Sequence, residues 1–106
     1  MSGGFKDREK GFESKFAHDE ETRFKVMARR NKLLGLWAAE KLGKSGDAAA
    51  AYAKDVIAAE FKAHGDEDVF AKVRADLPAS VTDAAIRAHM ATLLETAAEQ
   101  VSKEAK

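Results

Sequence analysis

Apolar residues recur at intervals of three and four in four blocks of this chain, which is the spacing of one face of an α-helix. The first block runs from about Asp19 to Leu42. Its apolar face is predicted to consist of Phe24, Met27, Leu34 and Ala38, with Leu33, Leu36 and Trp37 beside them. The sequence GKSG ends this helix, and Gly43 is expected to be its C-terminal cap.

The second helix is predicted from about Asp47 to Ala63 and the third from Asp66 to about Leu77. Asp66 is expected to cap the start of the third helix, and Pro78 stops it. The predicted apolar faces are Ala53, Ile57 and Phe61 with Tyr52 and Val56 in the second helix, and Val69, Phe70, Val73 and Leu77 in the third.

The fourth helix begins at the sequence SVTD, which offers two alternative N-cap residues. Ser80 with Asp83 resembles a capping box, and Thr82 is the rival cap. The apolar stripe that follows is Ile86, Met90, Leu93, Ala97 and Val101. Because each helix has one apolar face and the connections are short, residues 19–106 are predicted to be an all-α domain, a small four-helix bundle.

Residues 1–18 carry a further pattern. Three phenylalanines precede Phe24 at separations close to whole helical turns, at Phe5, Phe12 and Phe16. Gly11 disfavours such a helix by about 1 kcal/mol relative to alanine. We therefore predict a mobile, helix-prone segment that becomes helical against a partner. The alternative is that the second and third of these phenylalanines only cover the end of the bundle.

Composition and charge narrow the class of protein. Of the 106 residues, 45% are hydrophobic and 34% are charged, and there is no cysteine, which excludes disulfides and thiolate metal sites. The net charge is zero, but the charges are unevenly distributed along the chain. Residues 1–32 hold nine Lys/Arg and six Asp/Glu and are basic, whereas residues 33–106 hold nine Lys/Arg and twelve Asp/Glu and are acidic. No apolar run approaches the roughly 20 residues of a membrane span, so no direct membrane insertion is expected.

Candidate chemistry is sparse. No catalytic constellation is present in the sequence, so the chain is not expected to be an enzyme, and its three scattered histidines predict no metal site. His89 is predicted at the edge of the core and His64 in a solvated loop. His18, beside three carboxylates, is either a pH sensor or simply an exposed histidine.

The strongest basic cluster consists of Arg29, Arg30 and Lys32, near Trp37. These residues could bind phosphate with aromatic stacking, which would make the chain a small nucleotide- or nucleic-acid-binding regulatory module with weak affinity for ATP or ADP. The competing interpretation is a solvated polar face beside a buried tryptophan. Three cations are few for a nucleic-acid groove, so no nucleic-acid partner is expected.

Two longer stretches indicate a family. Phe5 to Glu21 reads F-x-x-R-E-x-x-F-E-x-K-F-A-H-D-E-E, and Phe24 to Ala39 reads F-K-x-x-A-R-R-N-K-L-L-G-L-W-A-A. Both resemble the ζ subunit, the ATPase inhibitor, of α-proteobacterial F1Fo-ATP synthases, a family first catalogued as having unknown function. KLGKSGDAAAAYAKDV and GDEDVFAKVRADL resemble its middle, so the resemblance covers nearly the whole chain.

The resemblance implies a four-helix bundle that inhibits ATP hydrolysis by the F1 sector. In this family a mobile N-terminal segment inserts as a helix at a catalytic α/β interface and reaches toward γ. The expected partners are therefore the F1 α, β and γ subunits, with no cofactor and a monomeric free state. The expected location is cytoplasmic, at the membrane only through the ATP synthase. By position, the inhibitory segment consists of Phe5, Arg8, Glu9, Phe12, Glu13, Lys15, Phe16 and Asp19.

Overall fold

The structure is a computed structural model that describes residues 20–104. This part of the chain folds into four helices, α1 (Glu20–Lys41), α2 (Gly46–Ala59), α3 (Asp66–Asp76) and α4 (Asp83–Glu104), and contains no β-strand. The prediction of an all-α four-helix bundle is confirmed. The predictions for residues 1–18 lie outside the described residues.

The turn after α1 is the one that the sequence predicts. Gly43 has a φ of 77°, a conformation that glycine adopts without a steric penalty. The backbone N–H of Lys44 donates to the carbonyl of Ala39 at 2.9 Å, and that of Gly43 donates to Glu40 at 3.1 Å. These two hydrogen bonds form a Schellman motif, which satisfies the last carbonyls of α1 as the chain reverses into α2.

The end of α2 differs from the prediction. α2 stops at Ala59 instead of continuing to Ala63, because the backbone N–H groups of residues 60–62 donate to carbonyls only three residues back, at 3.1 to 3.2 Å. These tight turns redirect the chain. As a result Phe61, which was predicted to lie in the core, is 64% exposed.

The start of α3 also corrects a prediction. The N-cap position belongs to Gly65, which has a φ of 52°, and no side chain caps the helix. Asp66 is the first residue of α3, and its carboxylate accepts a hydrogen bond from Arg30 of α1 instead. A tertiary contact has therefore replaced the local cap that the sequence predicts.

The connection from α3 to α4 follows the sequence more closely. Leu77 has an extended conformation with ψ of 150°, as expected for a residue before proline, and α3 ends there. At the start of α4, the hydroxyl oxygen of Thr82 accepts a hydrogen bond from the backbone N–H of Ala85 at 3.0 Å. Of the two caps left open, Thr82 is therefore the one that the structure uses.

The core has two parts. Residues of all four helices form the main cluster, which is Leu34, Ala38, Ala39, Tyr52, Val56, Ala59, Val69, Val73, Leu77, Ile86 and Met90. A smaller cluster joins the beginning of α1 to the end of α4 through Val26, Ala97, Ala98 and Val101. α1 packs against α2 and α4 and also contacts α3, so it is central to the bundle. Within residues 20–104, no helix is long and apolar enough to cross a bilayer.

α1 and α2 approach each other closely at Gly35. A Cβ atom added at Gly35 would lie 2.6 Å from the backbone Cα of Ala53 and 3.1 Å from its Cβ. Both distances are shorter than ordinary van der Waals contact, so only glycine fits at this position of α1 without moving α2.

Candidate interaction surface

The residues predicted to bind a partner precede the described part of the chain. The predicted inhibitory positions Phe5, Arg8, Glu9, Phe12, Glu13, Lys15, Phe16 and Asp19 all lie before Glu20, as does the predicted pH sensor His18. The structure instead describes the surface that follows them directly, at the beginning of α1.

Arg30 lies in the protein interior and not at a surface where it could bind phosphate. Its side chain is 2% exposed, and Asn31 beside it is fully buried. Arg30 Nε donates to Asn31 Oδ1 at 2.6 Å, and Nη2 donates to Asp66 Oδ1 at 2.6 Å, with Glu60 Oε1 farther away at 3.5 Å. Asn31 Nδ2 also donates to that Glu60 oxygen, at 3.1 Å. These contacts join α1 to the turn between α2 and α3.

The two carboxylates around Arg30 have different roles. Desolvation raises the pKa of Glu60 and the nearby Asp66 carboxylate adds to the rise, while the hydrogen bond from Asn31 and the charge of Arg30 oppose it. Asp66 is nearer to the guanidinium and more exposed, with 52% of its side chain accessible against 23% for Glu60. Asp66 is therefore the main counter-charge of Arg30.

The other members of the predicted basic cluster are separated from Arg30. Arg29 donates to Gln100 at 2.8 Å and forms an ion pair with Glu104 of α4 at 2.7 Å, while Lys32 is exposed. Trp37 stacks on His89, with ring centroids 4.0 Å apart and an angle of 30° between the planes. The structure brings Arg29 and Lys32 to one groove but places neither Arg30 nor Trp37 there.

Both histidine predictions that fall within the described residues are confirmed. His89 is half-buried beside Trp37 at the edge of the core, and His64 is exposed in the turn before α3. Residues 20–104 contain no group of three or more His, Cys, Asp or Glu that could hold a metal ion.

Phe24 and Phe61 form an aromatic pair on the surface. Their ring centroids are 5.5 Å apart and their planes are inclined at 37°, yet Phe24 is 53% exposed and Phe61 is 64% exposed. The prediction that Phe24 belongs to the buried face of α1 is therefore wrong. The pair joins the first turns of α1 to the turn that follows α2.

Two open grooves lie on either side of Phe24. The larger, of about 390 Å³, is lined by Phe24 together with Lys25, Ala28, Arg29, Lys32, Ile57, Val101 and Glu104. The smaller, of about 230 Å³, is lined by Phe24 together with Glu20, Arg23, Met27 and Glu60. In the described chain, the cations Arg23, Lys25 and Lys32 form no ion pair with a carboxylate.

The exposure of Phe24 follows from which side of α1 is buried. The buried face of α1 contains Val26, Arg30, Leu34 and Ala38 at steps of four, together with Asn31, Gly35 and Ala39. The predicted face left out Arg30 because arginine is normally exposed, and it took in Phe24 because phenylalanine is normally buried. The regular spacing of Val26, Leu34 and Ala38 around Arg30 is the signal that could have placed the face correctly.

Comparison with known proteins found one matching family model and a similar solved structure. A family model described as ATPase inhibitor subunit zeta matches residues 1–100. A protein structure determined by solution NMR is 50% identical, with a TM-score of 0.72, and the match covers 77% of this chain and 96% of that chain. No curated protein matches.

Proposed function

Because this chain belongs to the family of the ATPase inhibitor subunit zeta, we propose that it inhibits ATP hydrolysis by the F1 sector of an ATP synthase. In this proposal residues 1–18 insert as a helix at a catalytic α/β interface and extend toward γ. The observation that carries the proposal is the extent of the family match, which begins at residue 1 and so includes the proposed inhibitory segment as well as the bundle.

The proposed segment inhibits by occupying space and performs no chemistry. Its anchors are the aromatic side chains Phe5, Phe12 and Phe16, and the burial of each contributes roughly 1.5–3 kcal/mol. Ordering the segment opposes binding, so charge pairs made by Arg8, Glu9, Glu13, Lys15 and Asp19 add to the anchors. A helix held between two catalytic subunits blocks the domain motion that each turnover requires.

The bundle supplies a fixed point for this segment. α1 begins at Glu20, directly after the segment, and its interior contacts through Arg30 and Asn31 tie it to the turn between α2 and α3. A segment that leaves a well-anchored helix starts from a defined position, which lowers the entropy lost when it binds.

The nucleotide-binding alternative has less support from the structure. It needs the guanidinium of Arg30 to reach a phosphate and the ring of Trp37 to stack on a base. Arg30 is 2% exposed and holds Asp66, and Trp37 already stacks on His89. The inhibitory function is therefore the one we advance.

The test is ATP hydrolysis by isolated F1-ATPase in the presence of the full chain, of a chain lacking residues 1–18, and of a Phe12→Ala variant. We expect the full chain to inhibit, the shortened chain to be inactive, and Phe12→Ala to need a concentration at least about tenfold higher. Ser14→Ala, in the same segment but on the other side of the helical pattern, is the matched control and should inhibit normally. Full inhibition by the shortened chain would contradict the proposal.

A further inference from the structure

We propose that Glu60 and Asp66, here called the carboxyl pair, share one proton above the buried guanidinium of Arg30. Uptake of this proton in mildly acidic solution stabilises the link between α1 and the turn that joins α2 to α3. The inference concerns the folded bundle alone, so it does not rest on the proposed function. It places a pH response at two carboxylates of the bundle, separate from the response considered for His18.

Two carboxylates share a single cation at this position. Arg30 Nη2 lies 2.6 Å from Asp66 Oδ1 and 3.5 Å from Glu60 Oε1, so both acidic groups meet at the same nitrogen atom. The guanidinium is 2% exposed, and within residues 20–104 neither carboxylate has another ion-pair partner. When both acids are ionised, the cluster therefore holds two negative charges against one positive charge. Two carboxylates at one site favour the binding of a proton by one of them.

Glu60 is the member of the carboxyl pair that takes up the proton. Its side chain is 23% exposed against 52% for Asp66, and Asp66 makes the shorter contact with Arg30. Glu60 Oε1 accepts a hydrogen bond from Asn31 at 3.1 Å. Glu60 Oε2 lies over the backbone of Gly65, 3.3 Å from where a Cβ atom would stand. Oε2 is therefore beside the residue that precedes Asp66, and it can carry a proton without breaking the contacts of Oε1.

Protonation of Glu60 removes the surplus negative charge and supplies a new donor. The O–H of Glu60 donates to a carboxylate oxygen of Asp66, which stays ionised beside Arg30. Desolvation is the largest cause that raises the pKa of Glu60, and the Asp66 carboxylate adds to this rise. The hydrogen bond from Asn31 and the charge of Arg30 act in the opposite direction without cancelling it. Because the folded chain holds the proton more tightly than the unfolded chain, the stability due to Glu60 increases as the pH falls through the folded pKa, and it levels off below the unfolded pKa.

The other charged groups around Glu60 do not replace this arrangement. Glu20 and Arg23 of α1 line the small groove that Glu60 also lines, and their charges are opposite. Lys62 and His64 belong to the same turn as Glu60, and both are exposed. Water therefore screens them more than it screens the buried guanidinium. The charges that act on Glu60 are mainly those of the guanidinium and of the second carboxylate.

The first test compares urea denaturation of the full chain and of Glu60→Gln over a range of pH. Glutamine has the shape of a protonated glutamate and offers Asp66 a donor, so this variant imitates the protonated pair at every pH. We expect its unfolding equilibrium constant to be at least about threefold smaller than that of the wild type at about pH 7.5, and the ratio to approach one as the pH is lowered to about 4.5. A Glu60→Gln chain that unfolds more readily than the wild type at about pH 7.5, or a ratio that does not change with pH, would overturn the proposal.

Glu67→Gln is the matched control for this test. Glu67 is also a glutamate beside an arginine, but it is 66% exposed, and the hydrogen bonds from Arg87 lower its pKa. A carboxylate of this kind stabilises the fold when it is ionised, so the control should unfold at least as readily as the wild type at about pH 7.5. If Glu67→Gln is stabilised as much as Glu60→Gln, the gain comes from the removal of any negative charge, and the carboxyl pair is wrong.

The second test observes the proton directly, by carbon-13 NMR of the side-chain carboxyl carbons during a pH titration of the wild type and of Asp66→Asn. We expect the Glu60 carboxyl of the wild type to titrate above the ordinary glutamate value of about 4.3. In Asp66→Asn its midpoint should fall, because the second carboxylate is gone and the charge of Arg30 remains. A wild-type midpoint at or below about 4.3 would overturn the proposal, as would a midpoint that Asp66→Asn leaves unchanged. If Asp66→Asn does not fold, the wild-type midpoint and the Glu60→Gln comparison decide.

Discussion

Arg30 is a buried cation whose charge is met mainly by one half-exposed carboxylate. The guanidinium is 2% exposed and lies 2.6 Å from Asp66, whereas Glu60 is 3.5 Å away. When one partner of such a pair is removed, the charge left in the interior has lost the interaction that offset its desolvation. The stability of the α2–α3 turn should therefore depend on Asp66 more than its surface position suggests.

This dependence can be measured by substituting asparagine for each of two aspartates. We expect Asp66→Asn to lower the free energy of unfolding by about 1–2 kcal/mol in urea denaturation. Asp83→Asn is the control, because Asp83 also forms an ion pair with an arginine, Arg74, at a similar distance of 2.7 Å, but at the surface. The control should lose no more than about 1 kcal/mol. Equal losses in both variants would show that the burial of Arg30 does not matter.

At the scale of the helices, the close approach of α1 and α2 depends on the absence of a side chain at Gly35. α1 and α2 meet at Gly35, where an added Cβ would lie 2.6 Å from the Cα of Ala53. Glycine disfavours the interior of a helix by about 1 kcal/mol relative to alanine, so α1 alone would be more stable with alanine. The packing of the helix pair and the local helix preference are therefore in conflict at this residue.

Gly35→Ala decides which of the two effects is larger. We expect a net loss of about 1–3 kcal/mol in the free energy of unfolding, because the clash is with backbone and α2 must move. Adding Ala53→Gly removes the 3.1 Å contact with the Ala53 Cβ but not the one with its Cα, so the double variant should remain destabilised. Leu36→Ala, at the neighbouring exposed position, should change stability by no more than about 0.5 kcal/mol. A more stable Gly35→Ala protein would show that helix propensity is the larger effect.

The four helices and two of their ends could be predicted because the determining signals are local. Gly43 and Pro78 act through backbone conformation, which does not depend on the rest of the molecule. The buried face of α1 and the end of α2 could not be predicted in the same way. The buried face depends on Arg30, whose burial requires Asn31, Glu60 and Asp66 to come together from three elements. The end of α2 depends on the tight backbone turns of residues 60–62.

In the candidate site, too, local patterns could be predicted from the sequence and tertiary contacts could not. The phenylalanine pattern before Glu20 was visible in the sequence, and its role stays a prediction because those residues lie outside the described chain. The aromatic pair of Phe24 and Phe61 was not predicted, since both residues were assigned to apolar helix faces by their spacing. Only the early end of α2 places Phe61 outside the bundle, and that end is set by the turn and not by hydrophobic spacing.

For the whole molecule, the residues that the structure describes form a buried core with one another. Both buried clusters are built from residues 26–101. We expect a chain lacking residues 1–18 to melt within about 3 °C of the full chain, as measured by circular dichroism. If this shortened chain is as stable as the full chain but does not inhibit, the loss of inhibition is due to the missing segment and not to unfolding of the bundle. A drop of about 10 °C or more would mean that residues 1–18 help to hold the bundle together.

The central position of α1 has a mechanical consequence for the proposed inhibition. A pull that acts along the axis of α1 from its first residue, Glu20, loads the contacts of α1 with both α2 and α4. Such a load tries to slide α1 past its neighbours, so many side-chain contacts must fail together. A pull across the end of a peripheral helix would break the same kinds of contact one after another. A pull along α1 would therefore load the bundle in shear.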